Sequence, residues 1–179
     1  VSLVGVISAD TSLSIPDFRA AERTFQLIVQ VAGRAGRAGL PGQVVVQTLH
    51  ADEPAIQLAA KHDYEAFAGA EMAQRRDAGY PPHTRMIRFL LRHKDASTAQ
   101  EAAGQLASRL RQMLPRGGWQ TYGPQPAGVI KLRDQFRFEI QLISAHAGRV
   151  QQVLAPRMSE LCRGLRAEVI ADVDPVNLL

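Results

Sequence analysis

Cysteine is almost missing from this chain of 179 residues: Cys162 stands alone, so no disulfide can close within the chain and no cysteine pair can anchor zinc. A reducing, cytoplasmic setting is the expectation that follows. Lysine is scarce as well. Lys61, Lys94 and Lys131 are the only ones among 21 basic residues, so the positive charge rests on arginine. No Gly-Lys pair occurs, which excludes the phosphate-cradling G-x-x-x-x-G-K-[ST] loop. No apolar run approaches the ~18 residues of a membrane span, and no membrane partner is expected. Histidines 50, 62, 83, 93 and 146 lack H-x-x-x-H spacing, so the sequence offers no metal site. The chain opens on Val1 and "SLVGVI", without an initiator methionine or a basic flank, and reads as a piece of a longer protein.

What is present fits globular packing in one good domain or two small ones: 46% of residues are hydrophobic and 21% charged. The net charge of +4 is uneven. Residues 81 to 179 carry 14 basic against 8 acidic groups, whereas residues 51 to 80 carry 3 against 6. Such an excess suits a phosphate-backbone partner, although arginine-rich composition alone also produces it.

The apolar pattern predicts an α/β crossover unit followed by an α+β domain. "VSLVGVI" reads as a buried parallel strand and "SADTS" as a polar loop. Asp17 then caps a helix whose apolar positions Ala21, Phe25, Ile28, Val29 and Ala32 recur at three- and four-residue steps, and Gly33 ends it. "GLPGQVVVQTL" supplies a turn and a second strand at 43 to 49. Two helices follow, opened by Asp52 with Pro54 and by Asp63, until Gly79 and "YPP" stop the second. The boundaries are therefore 1–50, a helical connector at 51–80, and 81–179. The last part predicts strand 84–92, helix 95–114, a loop "PRGGWQTYGPQPAG", strands near 128–133 and 136–144, helix 147–163 and strand 166–173. That order, β-α-β-β-α-β, is the ferredoxin-like arrangement.

"QVAGRAGRAG" carries the chemistry. Arg34 and Arg37 stand three apart between Gly33 and Gly36, directly after the first helix and behind Gln30. Arginine offers five fixed donors and a charge it does not lose, which suits bidentate contact with phosphate. Two such forks on a backbone without bulky neighbours can bracket a terminal phosphate, where a guanidinium is worth ~3 to 5 orders of magnitude in phosphoryl transfer. The plain alternative is a solvated basic turn.

The turn is not isolated. "LVGVISADTSLSIPDFRAAERTFQL" followed by "QVAGRAGR" resembles motifs V and VI of the second RecA-like lobe of superfamily 2 helicases. "PDFRAAERTFQL", "GYPP" and the terminal "DVDP" are similar to the primosomal protein N′ (PriA) family of replication-restart DNA helicases, a resemblance that spans the chain. It implies that this is the C-terminal fragment of an ATP-dependent 3′ to 5′ helicase that restarts stalled forks by primosome assembly, with residues 1–50 finishing the second lobe. By that resemblance Arg37 is the arginine finger, Arg34 its partner on the phosphates, and Gln30 the sensor of the γ-phosphate and attacking water. Gly33, Gly36 and Asp10 fall at the nucleotide, with Asp10 either touching it or ordering its loop. Ser8, Thr11 and Ser12 fall where the motif V loop meets the DNA backbone. ATP with magnesium and zinc are implied for the full-length protein, zinc outside this stretch. The nucleotide-cradling and DExH motifs of the first lobe are absent here, so the isolated fragment is expected to be inactive.

For residues 81–179 the resemblance implies a module engaging branched and single-stranded DNA, single-stranded DNA-binding protein and primosome proteins. "KLRDQFRF" alternates Lys131, Arg133 and Arg137 with Leu132, Phe136 and Phe138, which predicts a hairpin with basic groups on one face and apolar groups on the other. An ordinary solvated sheet face is the alternative. Trp119 and Tyr122 are open to core packing or base stacking, and Glu65 and Glu71 read as a charged helical face. The implied full-length protein is a monomer, while an isolated piece with uncovered strand edges is open to self-association. The competing function class is a non-catalytic nucleic-acid-binding module that uses the GRAGR turn and the basic sheet face.

Overall fold

Two branched apolar strands and the amphipathic helix between them organise the first part of the chain. In the computed structural model, which describes residues 2–35, 42–114, 118–145 and 152–178, strand β1 (Leu3–Val6) pairs in parallel with β2 (Gln43–Val46). Val4 lies beside Val44 and Val6 beside Val46. Parallel pairing needs a crossover, and helix α2 (Ala20–Ala32) lies within that connection. Between β1 and α2 a short helix, α1 (Asp10–Leu13), replaces part of the predicted loop.

Helix α2 buries Ala20, Thr24, Phe25 and Ile28. Phe25 stacks on Phe67 of α4 (Tyr64–Ala78) at 4.2 Å between ring centroids, and Ala55, Ile56 and Ala59 of α3 (Pro54–Ala60) complete the same core. Asp17 does not cap α2 through its N-terminal residues as expected. Instead it accepts from the Arg19 N–H (2.9 Å) and pairs with Arg23 (2.9 Å) from a buried position. Asp63 does behave as a cap, accepting from the Ala66 N–H at 3.0 Å. Glu71, predicted on a solvated face, is buried, because Arg75 bridges it (2.7 Å) to Glu22 (2.8 Å) while lying over the Phe18 ring. Gly79 adopts the left-handed conformation predicted for it.

Contacts divide the chain into compact units Val1–Arg75 and Arg76–Leu179. The second is mixed α and β: β3 (Arg85–His93), α5 (Ala96–Met113), β4 (Gln120–Leu132), β5 (Gln135–Ser144), α6 (Met158–Cys162) and β6 (Glu168–Val173). Its four strands form an antiparallel sheet in the order β4-β5-β3-β6. Strand β4 starts at Gln120, so much of the predicted loop is strand. Residues 152–154 are helical and Ala155–Arg157 form a 3-10 turn, which breaks the single helix predicted at 147–163.

Alternation along the strands directs Phe89, Leu91, Ile140 and Leu142 to one face of the sheet. Against them α5 lays a stripe of small and long residues, Ala99, Ala102, Ala103, Leu106, Ala107 and Leu110. Trp119 packs on this cluster, which settles its role as core, while Tyr122 stays 46% exposed. Among the described residues no helix is long and apolar enough to cross a membrane.

Asp95 starts α5 by accepting from the Thr98 N–H (2.8 Å) and from the Ser97 and Thr98 hydroxyls (2.6 and 2.8 Å). The Ser97 and Thr98 bonds hold its carboxyl at about 2, below the ordinary 3.8. A carboxyl depressed on folding contributes stability that is present above its unfolded value and fades as pH falls towards the folded one. The stability gap between the natural chain and Asp95→Ala is therefore expected to narrow between about pH 4 and about pH 2 in urea unfolding curves. A gap of constant size over that window refutes the capping role.

Candidate nucleotide and nucleic-acid sites

Helix α2 turns its apolar side to the core and leaves Gln30, Gly33 and Arg34 exposed at its C-terminal end. Gln30 is in the last turn of the helix, and Arg34 follows the Gly33 cap in a turn, its N–H donating to the Val31 carbonyl at 3.0 Å. Gly33 caps the helix with ordinary right-handed angles, its N–H donating to the Val29 carbonyl at 3.0 Å. A side chain there would meet only the Gln30 and Val29 carbonyls at 3.6 Å, so the fold itself does not require glycine. The bare backbone leaves an open approach to the helix end. Gly36 and Arg37, the remainder of the motif, lie outside the described residues.

The loop after β1 is shaped by polar contacts. Ser8 sits in the left-handed region (φ 56°), and its hydroxyl lies 3.0 Å from that of Thr11. Ala9 is buried, with its N–H donating to the Gln47 carbonyl at 3.0 Å, while Ser8 and Thr11 face solvent and Ser12 is half-buried. Asp10 accepts from the Thr48 hydroxyl (2.8 Å) with one oxygen and from the Leu49 N–H (3.0 Å) with the other. The Thr48 bond first, then the Leu49 bond, lowers its pKa. Of the two roles open to Asp10, ordering its loop is the one this geometry carries. Thr48 also accepts from the His50 N–H at 3.0 Å. The loop at 47–50 was not singled out by the sequence; a threonine and an aspartate at matching distances beyond two paired strands were the available signal.

In the second unit Lys131, Arg133 and Arg137 do not share a face. Arg133 and Asp134, with φ of 50° and 60°, form a two-residue turn, which sets Lys131 opposite Phe136. Directly opposed residues lie on one side of a sheet, and the Lys131 ammonium indeed sits 5.0 Å over the Phe136 ring while bonding Asp134 at 2.8 Å. Arg137 is turned inward at 6% exposure and donates to the Val129 carbonyl at 3.4 Å. Burial, then the neighbouring Arg88, lowers its pKa. The turn length thus overrides the alternation read along the sequence.

A buried polar group on the sheet escaped sequence reasoning altogether. Arg88 and Glu139 form an ion pair at 2.8 Å, each side chain 5% exposed. Glu139 also accepts from Gln125 (3.1 Å) and Gln141 (2.9 Å). The signal was one charge within each of two largely apolar stretches, "MIRFLL" and "FEIQLI", the second with Gln141 two residues from Glu139.

The primosomal protein N C-terminal domain family matches residues 76–176, nearly the whole second unit. The replication restart protein PriA of Treponema pallidum is 41% identical over 177 residues, 99% of this chain and 27% of its own length. Its counterpart in Bacillus subtilis is 42% identical over 139 residues, 78% of this chain and 17% of its own, and that of Haemophilus influenzae 38% identical over 183 residues, 99% and 24%. This chain therefore spans about a quarter or less of the length of these curated relatives. With more than half of its residues matched, the chain belongs to the primosomal protein N C-terminal domain family.

Proposed function

We propose that the chain is the C-terminal part of an ATP-dependent 3′ to 5′ DNA helicase that restarts stalled replication forks; the relatives, replication restart proteins by name, support the replication-restart part of this reading. The observation that carries this reading is the exposed set Gln30, Gly33 and Arg34, at the end of the helix that joins two parallel strands. The free backbone groups at a helix C-terminus are carbonyl acceptors, so an anion there depends on the arginine guanidinium as its donor. In this reading residues 1–50 finish a RecA-like lobe, 51–80 connect, and 81–179 form a ferredoxin-like domain. Support for the last is the strand order β4-β5-β3-β6 with helices after the first and third strands.

Arg34 and Arg37 present guanidinium donors to the γ-phosphate of ATP, and Gln30 orients water there. Magnesium would neutralise the phosphates when bound, and this stretch contains no G-x-x-x-x-G-K-[ST] loop to hold it. Zinc does not fit this stretch either, with Cys162 its only thiol. The hydroxyls of Ser8, Thr11 and Ser12 donate to the DNA backbone, and Asp10 keeps that loop in place through Thr48 and Leu49. Lys131 and Arg133 add phosphate contacts from the second unit, for branched and single-stranded DNA, with single-stranded DNA-binding and primosome proteins as the implied partners. The full-length protein is expected to displace a strand from a fork with a 3′ tail only when ATP is present. ATP-independent displacement, or none at all, overturns the reading.

A further inference from the structure

The β4–β5 hairpin carries a second arrangement that neither the motif nor the family assigns. Between Pro126, opposite Phe138, and Lys131, opposite Phe136, four residues of β4 face the single residue Arg137. Such bulges re-aim side chains. Ala127 anchors this one from inside at 2% exposure, while Val129 and Ile130 stand out at 37% and 54%, followed by Leu132 at 50%. Arg137 lies beneath and holds the Val129 carbonyl, so the bulge is supported from inside the sheet.

The surroundings are cationic. Arg92 is taken by Glu168 and Arg137 is buried, which leaves Lys94, Lys131 and Arg133 as the exposed cations, with Lys131 bonded to Asp134. Lys94 follows His93, which lies opposite Phe136 in the sheet, and is exposed. Edge strands are ordinarily blunted by charge. Lys131 does that here on the Phe136 side of the edge strand, with Arg133 in the turn, while the exposed Leu132, opposite Gln135, lies on the other side and, with Ile130, forms an aliphatic rim beside the cations. A rim two side chains wide matches a base step lined by phosphates, because branched aliphatic residues are among those that enter base steps as wedges. An acidic peptide would instead offer apolar side chains that need a pocket to enter.

We propose that this hairpin end is a nucleic-acid wedge: Ile130 and Leu132 enter a base step where duplex strands part, and Lys94, Lys131 and Arg133 hold the flanking phosphates. The proposal rests on the DNA-acting reading above and deepens it. Val129 presents the rim, and Arg137 is a positioning residue that keeps the bulge in shape.

The test uses the full-length protein and a forked DNA with 2-aminopurine at the junction. Binding of the natural protein is expected to raise the 2-aminopurine fluorescence, as the junction base unstacks. Ile130→Ser with Leu132→Ser is expected to abolish that rise and weaken fork binding about tenfold, with the slope of log K against log salt unchanged, since apolar contacts release no counterions. Arg133→Gln is expected to keep the rise and reduce the slope by about 1. An unchanged thermal unfolding midpoint verifies that the variants fold, and Leu132→Ser alone serves if the pair does not. A double variant that matches the natural protein in fluorescence and affinity overturns the wedge, as does one that keeps both and loses only a protein partner. Failure of the natural protein to bind fork DNA overturns the broader reading instead.

Discussion

Replacing Arg37 by alanine in the full-length protein is expected to lower DNA-stimulated ATP hydrolysis by about a thousandfold, with ATP and DNA binding close to natural levels. Charge spreads over the equatorial oxygens as the γ-phosphoryl group transfers, and a guanidinium fixed beside them stabilises that state more than the bound substrate. Loss of such a group therefore appears in turnover and not in affinity. Arg34→Ala should share part of the effect if, as proposed, both forks bracket one phosphate. Steady-state hydrolysis with saturating single-stranded DNA measures it, alongside nucleotide binding. A rate within tenfold of the natural enzyme removes Arg37 from the reaction and leaves the GRAGR turn a solvated or DNA-contacting one.

Glu139→Ala is expected to destabilise the second unit by about 3–5 kcal/mol, a large share of the ~5–15 kcal/mol that holds an ordinary domain together. The carboxylate takes the Arg88 guanidinium and the amides of Gln125 and Gln141 at once, in a place where each side chain of the ion pair is 5% exposed. Its removal strands a buried cation and leaves two amide donors without their acceptor. Replacing both charges, Arg88→Met with Glu139→Leu, should return stability to within about 1–2 kcal/mol of the natural chain or raise it, since an apolar pair escapes the desolvation cost. Trp119, the only tryptophan, lies against the core of this unit, so its emission during urea unfolding reports on the right part of the chain. A single variant as stable as the natural chain would mean that Arg88 finds water.

Periodicity made most of the fold legible: the parallel pair around α2, the Asp63 and Asp95 helix starts, the Gly79 stop and the strand–helix order of the second unit follow from local chemistry. What escaped depends on chain segments distant in sequence. Asp10 meets Thr48 across 38 positions, Arg88 meets Glu139 across 51, and Glu71 is buried because Arg75 ties it to Glu22. The hairpin face failed for a different reason. Alternation along "KLRDQFRF" holds within a strand, but a two-residue turn at Arg133 and Asp134 interrupts it and resets which residues oppose each other. Of the site, residue types and order were readable, and Gln30, Gly33 and Arg34 are each exposed. That Arg137 turns inward, and that Thr48 and Leu49 receive Asp10, needed three dimensions.

The Arg88–Glu139 pair also bears on how the sheet assembles. Arg88 lies opposite Gln141 and Glu139 opposite Leu90, on the side of the sheet away from α5. A slip of one residue turns a whole strand over. Sliding β5 by one place along β3 would drive Glu139 in among Leu106 and Leu110 and leave Arg88 without it. Both misplacements bury a lone charge, whereas leucines in their place would tolerate either alignment. The ion pair thus disfavours misaligned sheets that hydrophobic contact alone would accept.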